Sequence, residues 1–409
     1  MQRLCYTANQ ETVCIVEKQL GRMAQYPHFG YSMSSLRKVG DRLSKTIHHD
    51  EWRKPVEQER ITELFAVANN WRDSHIMPMR SVRYSVRYAI RKLNIEGDLA
   101  SRPKRMPSIR RKLKDSSVKL DQMNDLGGCR AIMDDIAGVR ALVHQIEQTF
   151  PHDIRKEYRY IDDPKKDGYR SHHIVFNFVP KSQEQKPFEG RRIELQIRTR
   201  LQHSWATAIE AVSLFTGTDL KHHRGHENWL RLFELTSAEF AFAESCPTAD
   251  GVPGHHERVS EIRQLCRELK AINTLENIKN ATHYAENFVS DNAKYYLIKY
   301  QSDHTVSVQP YSGAILAAAA LQNEEQKNEF GFADSKVVLV EVDQVERLVQ
   351  TYPNYFGDVS LFVRNLRNLC EGSRAVEYSM TPQKVIKQKP RERPDPAALR
   401  RRYSKWTEN

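Results

Sequence analysis

Residues 192–199, RIELQIRT, alternate Ile193, Leu195 and Ile197 with Arg192, Glu194, Gln196 and Arg198. A period of two means a strand with one buried face, so the opposite face must carry a carboxylate flanked by cations. Just upstream, YIDDPKKDGYRSHH (residues 160–173) gathers Lys165, Lys166, Gly168, Tyr169, His172 and His173 into a flexible basic turn with an aromatic ring. That turn runs into the apolar alternation of Ile174, Phe176 and Phe178, the mark of a second strand. Together the two pieces suit a phosphate-rich ligand held over a sheet.

A chain of 409 residues has length for two or three domains and a substantial core. Its net charge of +11 shifts weight toward polyanionic partners such as nucleotides or RNA. Six cysteines, Cys5, Cys14, Cys129, Cys246, Cys266 and Cys370, contain no C-x-x-C pair, which fits reduced thiols and leaves no zinc site legible. No stretch approaches the roughly 20 apolar residues of a spanning helix, and no signal-like lead is present. The expectation is a cytoplasmic protein without membrane contact.

Residues 1–56 read as an N-terminal extension with short helical patches. Its HHD string, His48 to Asp50, lacks the further His and Asp ligands that a metal phosphohydrolase needs. Helical spacing predicts scaffold helices over Val56 to Trp71 and Pro78 to Leu93. Residues 101–120 hold eight Lys or Arg against the single acid Asp115. Pro107 and Ser108 can open a helix there with Ile109 and Leu113 inward. Arg102 and Lys104 precede the helix start, where backbone N–H groups and the dipole also favour anions, so a polyphosphate clamp stands beside the plainer reading of a solvated basic helix.

A turn and a strand from Gly128 follow, then a helix over Ile136 to Phe150. Asp125 just before the strand reads on its own as a turn or capping residue as readily as a ligand. Beyond residue 199 comes a helix with Trp205, Ala208, Ile209 and Val212 buried, from which His203 and Glu210 face either the site or solvent. The His-rich loop 221–227 reads as an exposed turn. Residues 246–282 read as a linker and helix, and 283–375 as a small α/β module with a hairpin (YYLIKY, TVSVQPY), a helix, a strand and closing helices. The tail 376–409, rich in Pro, Lys and Arg, reads as disordered and suited to contact with tRNA or the ribosome.

Taken in order, Arg102-x-Lys104-x-x-x-Ser108-Ile109-x-x-Lys112, Asp125-Leu126-x-Gly128-x-Arg130, Tyr160-Ile161-x-x-Pro164-Lys165-x-x-Gly168-Tyr169-x-Ser171-x-His173 and Glu194-Leu195-Gln196-Ile197-Arg198-Thr199 form a set that resembles the synthetase domain of the RelA/SpoT family. Each piece is weak alone; four in this order are specific. The resemblance covers residues 57–245. It implies an α/β (α+β) fold, a mixed sheet flanked by helices of nucleotidyltransferase-like type; the residue pattern, not the resemblance, adds 283–375 as a second, smaller α/β domain.

It also implies transfer of pyrophosphate from ATP to the 3′-hydroxyl of GDP or GTP, giving (p)ppGpp. By that resemblance Asp125 and Glu194 hold Mg²⁺ and Glu194 takes the hydroxyl proton. Arg102, Lys104, Lys112 and Arg130 pair with the ATP phosphates, with Ser108 beside them. Lys165, Tyr169 and His173 bind the acceptor, the Tyr169 ring stacking on its base, while Gln196 and Arg198 share the sheet face with Glu194. Strict alternation would put Asp125 and Arg130 on opposite faces, so their joint use needs a bend at Gly127 and Gly128. The sequence before residue 57 is too short for the family's metal-dependent hydrolase domain, so synthesis without hydrolysis is expected. Two alternatives stay open: a toxic relative that pyrophosphorylates the 3′ end of tRNA, and an inactive RNA-binding or interaction protein.

Overall fold

A computed structural model of the chain describes residues 26–45, 47, 54–216, 220, 226–281, 283–284, 293–303, 305–329, 335–342, 351–353, 356 and 358–376. The HHD string, most of the His-rich loop, residues 343–350 and the basic tail lie outside the described residues. In chain order the helices are α1 (Met33–Leu43), α2 (Pro55–Asp73), α3 (Ile76–Leu93), α4 (Met106–Asp115), α5 (Ile136–Thr149), α6 (Arg200–Thr216), α7 (Glu227–Ala243), α8 (His255–Glu268), α9 (Ala271–Ala281), α10 (Ala314–Glu329) and α11 (Ser360–Glu371). The strands are β1 (Gly97–Pro103), β2 (Gly127–Met133), β3 (Asp153–Arg159), β4 (His172–Asn177), β5 (Arg192–Thr199), β6 (His283–Tyr284), β7 (Tyr295–Gln301), β8 (Thr305–Tyr311) and β9 (Ser335–Val342).

Among the described residues nine strands join one mixed sheet in the order β3-β4-β5-β2-β1-β9-β7-β8-β6. Strands β2 and β5 run parallel, and the other pairs among β1–β5 are antiparallel. Alternation sets the two faces. Cys129, Ala131 and Met133 of β2, with Ile193, Leu195 and Ile197 of β5 and Ile174 and Phe176 of β4, enter one core with Val82 and Val86 of α3, Val139 and Leu142 of α5, and Ala317 and Leu321 of α10. Gly127 belongs to this face, and a Cβ there would lie 2.7 Å from the Met79 side chain and 2.8 Å from that of Ile193. Only glycine fits.

The segment 283–375, expected as a separate module, is continuous with the rest: β9 pairs with β1 through Ala100↔Val342 and Ser101↔Glu341. Its hairpin is formed as read, β7 on β8 from Tyr295↔Tyr311 to Tyr300↔Val306. The segment read as a linker and helix is two helices that pack with α6, α7 and α11 around Trp205, Phe233, Ile262, Leu275 and Phe362. They break at Lys270, which takes φ 48°. Strands β1 and β3 were not foreseen. GDLASRP and DIRKEYR lack the run of branched and aromatic residues that marks strands; β3 is a charged edge, and β1 is strand because both neighbours pair with it.

Candidate functional site

The polar face of the sheet builds the site through register. One row runs Tyr158, His173, Gln196, Arg130, Ala100 across β3, β4, β5, β2 and β1; the next runs Lys156, Val175, Glu194, Gly128, Arg102. Glu194 and Arg102 are thus separated only by Gly128, whose absent Cβ would meet nothing closer than the Arg102 carbonyl oxygen at 3.6 Å. The gap between carboxylate and guanidinium is open floor.

Beside this floor, β1 passes into α4 and β2 begins at Gly127. Asp125 lies before the strand, so alternation does not govern it, and no bend is needed: neither Gly127 nor Gly128 takes a positive φ. Lys104 Nζ donates to Asp125 Oδ2 at 2.7 Å, and Lys112 Nζ stands 2.9 Å from Oδ1. Burial pushes the Asp125 carboxyl up, but the two lysines outweigh it and hold it below the usual range. Burial in turn pulls Lys104 down against Asp125. Ser108, in the first turn of α4, is half-buried.

Glu194 accepts from Gln196 Nε2 at 2.9 Å and lies 3.0 Å from His173 Nδ1. Burial raises its carboxyl, yet the hydrogen bond and charge of His173 bring it below the ordinary range. An ionised carboxylate only accepts, so Nδ1 carries the proton. On the other side of the ring, Nε2 lies 2.9 Å from the Tyr169 hydroxyl, which burial keeps protonated. Tyr169, His173 and Glu194 form a hydrogen-bonded relay.

The loop before β4 holds Tyr169 firmly. Gly168 takes φ +84°, and a Cβ there would come within 2.9 Å of Ser237 on α7; the Ser237 hydroxyl donates to the Gly168 carbonyl. Tyr160 and Tyr169 meet edge to face at 6.1 Å, with Lys165 Nζ 4.4 Å and 5.3 Å from their ring centres. Tyr158 stacks on Tyr160 at 5.6 Å, and Lys156 Nζ lies 4.7 Å from the Tyr158 ring centre. Cations and rings therefore share the exposed edge. Next to it a groove of about 550 Å³ is lined by Arg155, Lys156, Arg192, Asn124, Gln122 and Val118.

Arg198, grouped with the acceptor residues on sequence, lies within reach of both Arg130 and Tyr169. Burial, then Arg130 beside it, pulls Arg198 down to about 9, while Tyr169 and Glu210 oppose the fall. Glu210 faces the site, the choice its sequence left open. Over Arg102 and Arg130 sits Tyr352, its ring centre 5.7 Å and 5.6 Å from their guanidinium carbons, and Arg130 Nη1 donates to the Thr351 carbonyl at 3.4 Å. No local pattern announces Tyr352; its partners lie more than 200 residues away.

A metal is implied but no ready-made cage holds one: among the described residues no three His, Cys, Asp or Glu side chains gather for it. Mg²⁺ commonly takes one or two protein carboxylates with substrate phosphates and water completing the shell. Asp125 and Glu194, both held below the usual carboxylate range and close enough for the Asp125 charge to act on Glu194, fit that demand.

A family profile described as "Region found in RelA / SpoT proteins" matches residues 101–217. A GTP pyrophosphokinase of Photobacterium angustum is 31% identical over 116 residues, 28% of this chain and 14% of its own. A GTP pyrophosphokinase rsh of Brucella melitensis is 26% identical over 192 residues, 47% of this chain and 22% of its own. The chain thus spans less than a quarter of these relatives' length. Among solved structures, small alarmone synthetase 1 of Bacillus subtilis bound to its product pppGpp is 17% identical, with 46% of this chain and 94% of that one covered at a TM-score of 0.38. Small alarmone synthetase 2 of the same organism is 21% identical, with 41% and 89% covered at 0.35. The matched residues 101–217 hold Arg102, Asp125, Tyr169 and Glu194, so the region similar to RelA/SpoT proteins is the one that builds the polar face of the sheet.

Proposed function

We propose that this chain is an ATP-dependent pyrophosphotransferase acting on the 3′-hydroxyl of GDP or GTP. The observation that carries the reading is the adjacency, on one sheet face, of a lysine-clamped carboxylate at Asp125 and the Tyr169–His173–Glu194 relay. Its similarity to GTP pyrophosphokinases supports the substrate class.

Phosphoryl transfer needs charge neutralisation and in-line placement more than covalent help from protein. Lys104, Lys112, Arg102 and Arg130, with Ser108, bind the donor phosphates, and Arg198 adds to that positive field. Lys165, Tyr169, His173 and Gln196 hold the acceptor. As the 3′-oxygen bonds to the β-phosphorus, the bond from that phosphorus to the α,β-bridging oxygen breaks, AMP leaves, and the hydroxyl proton passes to Glu194. Asp125 and Glu194 would hold Mg²⁺, which supplies charge neutralisation on the transferred group. His173 keeps Glu194 ionised and oriented, and Tyr169 fixes His173.

A second acceptor is favoured by one observation. The ladder of Lys156, Tyr158, Tyr160 and Lys165 and the basic groove beside it extend past the reach of a single nucleotide: Arg155 to Arg159 alone spans about 13 Å of strand. Cations interleaved with rings suit a single strand of RNA. Under this reading the acceptor is an RNA 3′ end such as that of tRNA.

The test is incubation with ATP labelled at the γ-phosphate, Mg²⁺ and, separately, GDP, GTP and deacylated tRNA. Label on a guanosine nucleotide is expected; label on tRNA alone selects the second reading, and none on any acceptor overturns both. Glu194→Gln should lower turnover about 10²–10⁴-fold without unfolding the protein. Near-full activity would remove Glu194 from the chemistry.

A further inference from the structure

Helix α10 lies in sequence far from the RelA/SpoT region, yet it grips α4 at two points. Glu325 Oε1 accepts the backbone N–H of Met106, the first residue of α4, at 2.9 Å. Its Oε2 accepts from Arg72 Nη1 at 2.6 Å, and Arg72 is fully buried. One turn along, Glu329 Oε2 accepts from Arg110 Nη1 at 2.7 Å. The α4 N-cap residue, Arg105, makes no side-chain capping bond of its own. The orphan N–H groups of a helix start need partners, and here a residue 219 positions away supplies one.

Helix α4 has ten residues, short enough that its position depends on what holds it. Ile109 and Leu113 anchor one side among Leu36, Val67 and Leu126. Lys112, three residues on from Ile109 and so on an adjoining side, reaches Asp125. A loosened first turn would shift Ser108 and Lys112 together.

We propose that Glu325 is a positioning residue for donor binding: it fixes the first turn of α4, so that Ser108 and Lys112 meet the ATP phosphates beside Asp125. This rests on the reading of α4 as the donor helix. Arg72 pairs with both Glu325 and Asp73, so the Glu325 carboxylate is fixed at one oxygen by a buried guanidinium while the other meets the helix start. Donor affinity thereby depends on the seating of α10, and residues beyond the RelA/SpoT region are part of the working site.

The test compares Glu325→Ala and Glu325→Gln with the unaltered chain, each with and without Tyr352→Ala so that the ring over Arg102 and Arg130 does not mask the effect. Amide exchange is followed in α4 and in β2 and β5, along with KM for ATP and for the acceptor. Glu325→Ala should speed exchange in α4 and raise the KM for ATP about tenfold, the scale of a lost helix cap, with β2, β5 and the acceptor KM unchanged. Glu325→Gln keeps an oxygen for the Met106 N–H and should recover most of both. An ATP KM within twofold of the unaltered chain, a parallel rise in both KM values, or a Gln variant no better than Ala overturns the proposal. Should the Ala variant fail to fold, Glu329→Ala, which removes only the second grip, must raise the ATP KM selectively or the proposal falls. If the unaltered chain takes no ATP, the donor reading fails, while exchange in α4 still decides whether Glu325 holds the helix.

Discussion

His173 is the residue on which the site's electrostatics turn. Burial alone would push the Glu194 carboxyl up, and the bond and charge from His173 reverse that. For a carboxyl held low, the ionised form persists as pH falls until the depressed value is reached, so the acid limb of kcat/KM should lie below the ordinary carboxylate range near 4.3. His173→Ala removes the largest opposition to burial, leaving the Gln196 hydrogen bond, and should move that limb to higher pH; a pH–rate profile unmoved by the substitution would contradict the assignment. Gly128 gives a complementary test. Its Cβ position is open toward the site, so Gly128→Leu should fill the floor between Glu194 and Arg102, abolishing transfer while the melting temperature stays within a few degrees. At Gly127, one position earlier, even alanine overlaps Met79 and Ile193, and overpacking there should cost about 1–3 kcal/mol by denaturant unfolding. Neighbouring glycines have opposite reasons to be small.

At the scale of elements, much of the site was legible because its parts are local. The alternation of residues 192–199 placed Glu194, Gln196 and Arg198 on one face, and the Pro107–Ser108 start with inward Ile109 and Leu113 matches α4. What escaped was set by pairing over distance. The charged β3 carries no apolar alternation, since an edge strand needs none on its open side, and β1 depends on neighbours 30 and 240 residues away. Tyr352 belongs here as well. Its ring stacks over the two arginines that would meet the donor, so ring and ligand compete for the same guanidinium faces. Tyr352→Ala should tighten binding of a non-hydrolysable ATP analogue and raise transfer, each by roughly tenfold for an interaction of this class. Titration calorimetry on both proteins measures it, and unchanged affinity would mean the donor approaches from another side.

For the molecule as a whole, acid stability follows from histidines buried neutral. His75 is pushed down to about 3 and His152 to about 4, in both cases chiefly by burial. Between those values and 6.5 the unfolded chain binds protons that the folded one refuses, so stability rises with pH across that window and falls on acidification from about 6.5. Urea midpoints should drop steadily from pH 6.5 to 4, before the low carboxyls Asp125 and Glu194 begin to titrate, and His75→Gln should flatten the slope. A midpoint constant over that range would show that the two rings are not neutral in the fold.

The single sheet also has a seam. Among the described strands, β1 and β9 alone join β1–β5 to β6–β9, with Ala100 facing Val342 and Ser101 facing Glu341. The ring that covers Arg102 and Arg130 comes from beyond that join, as a cuff covers the wrist only while its button holds.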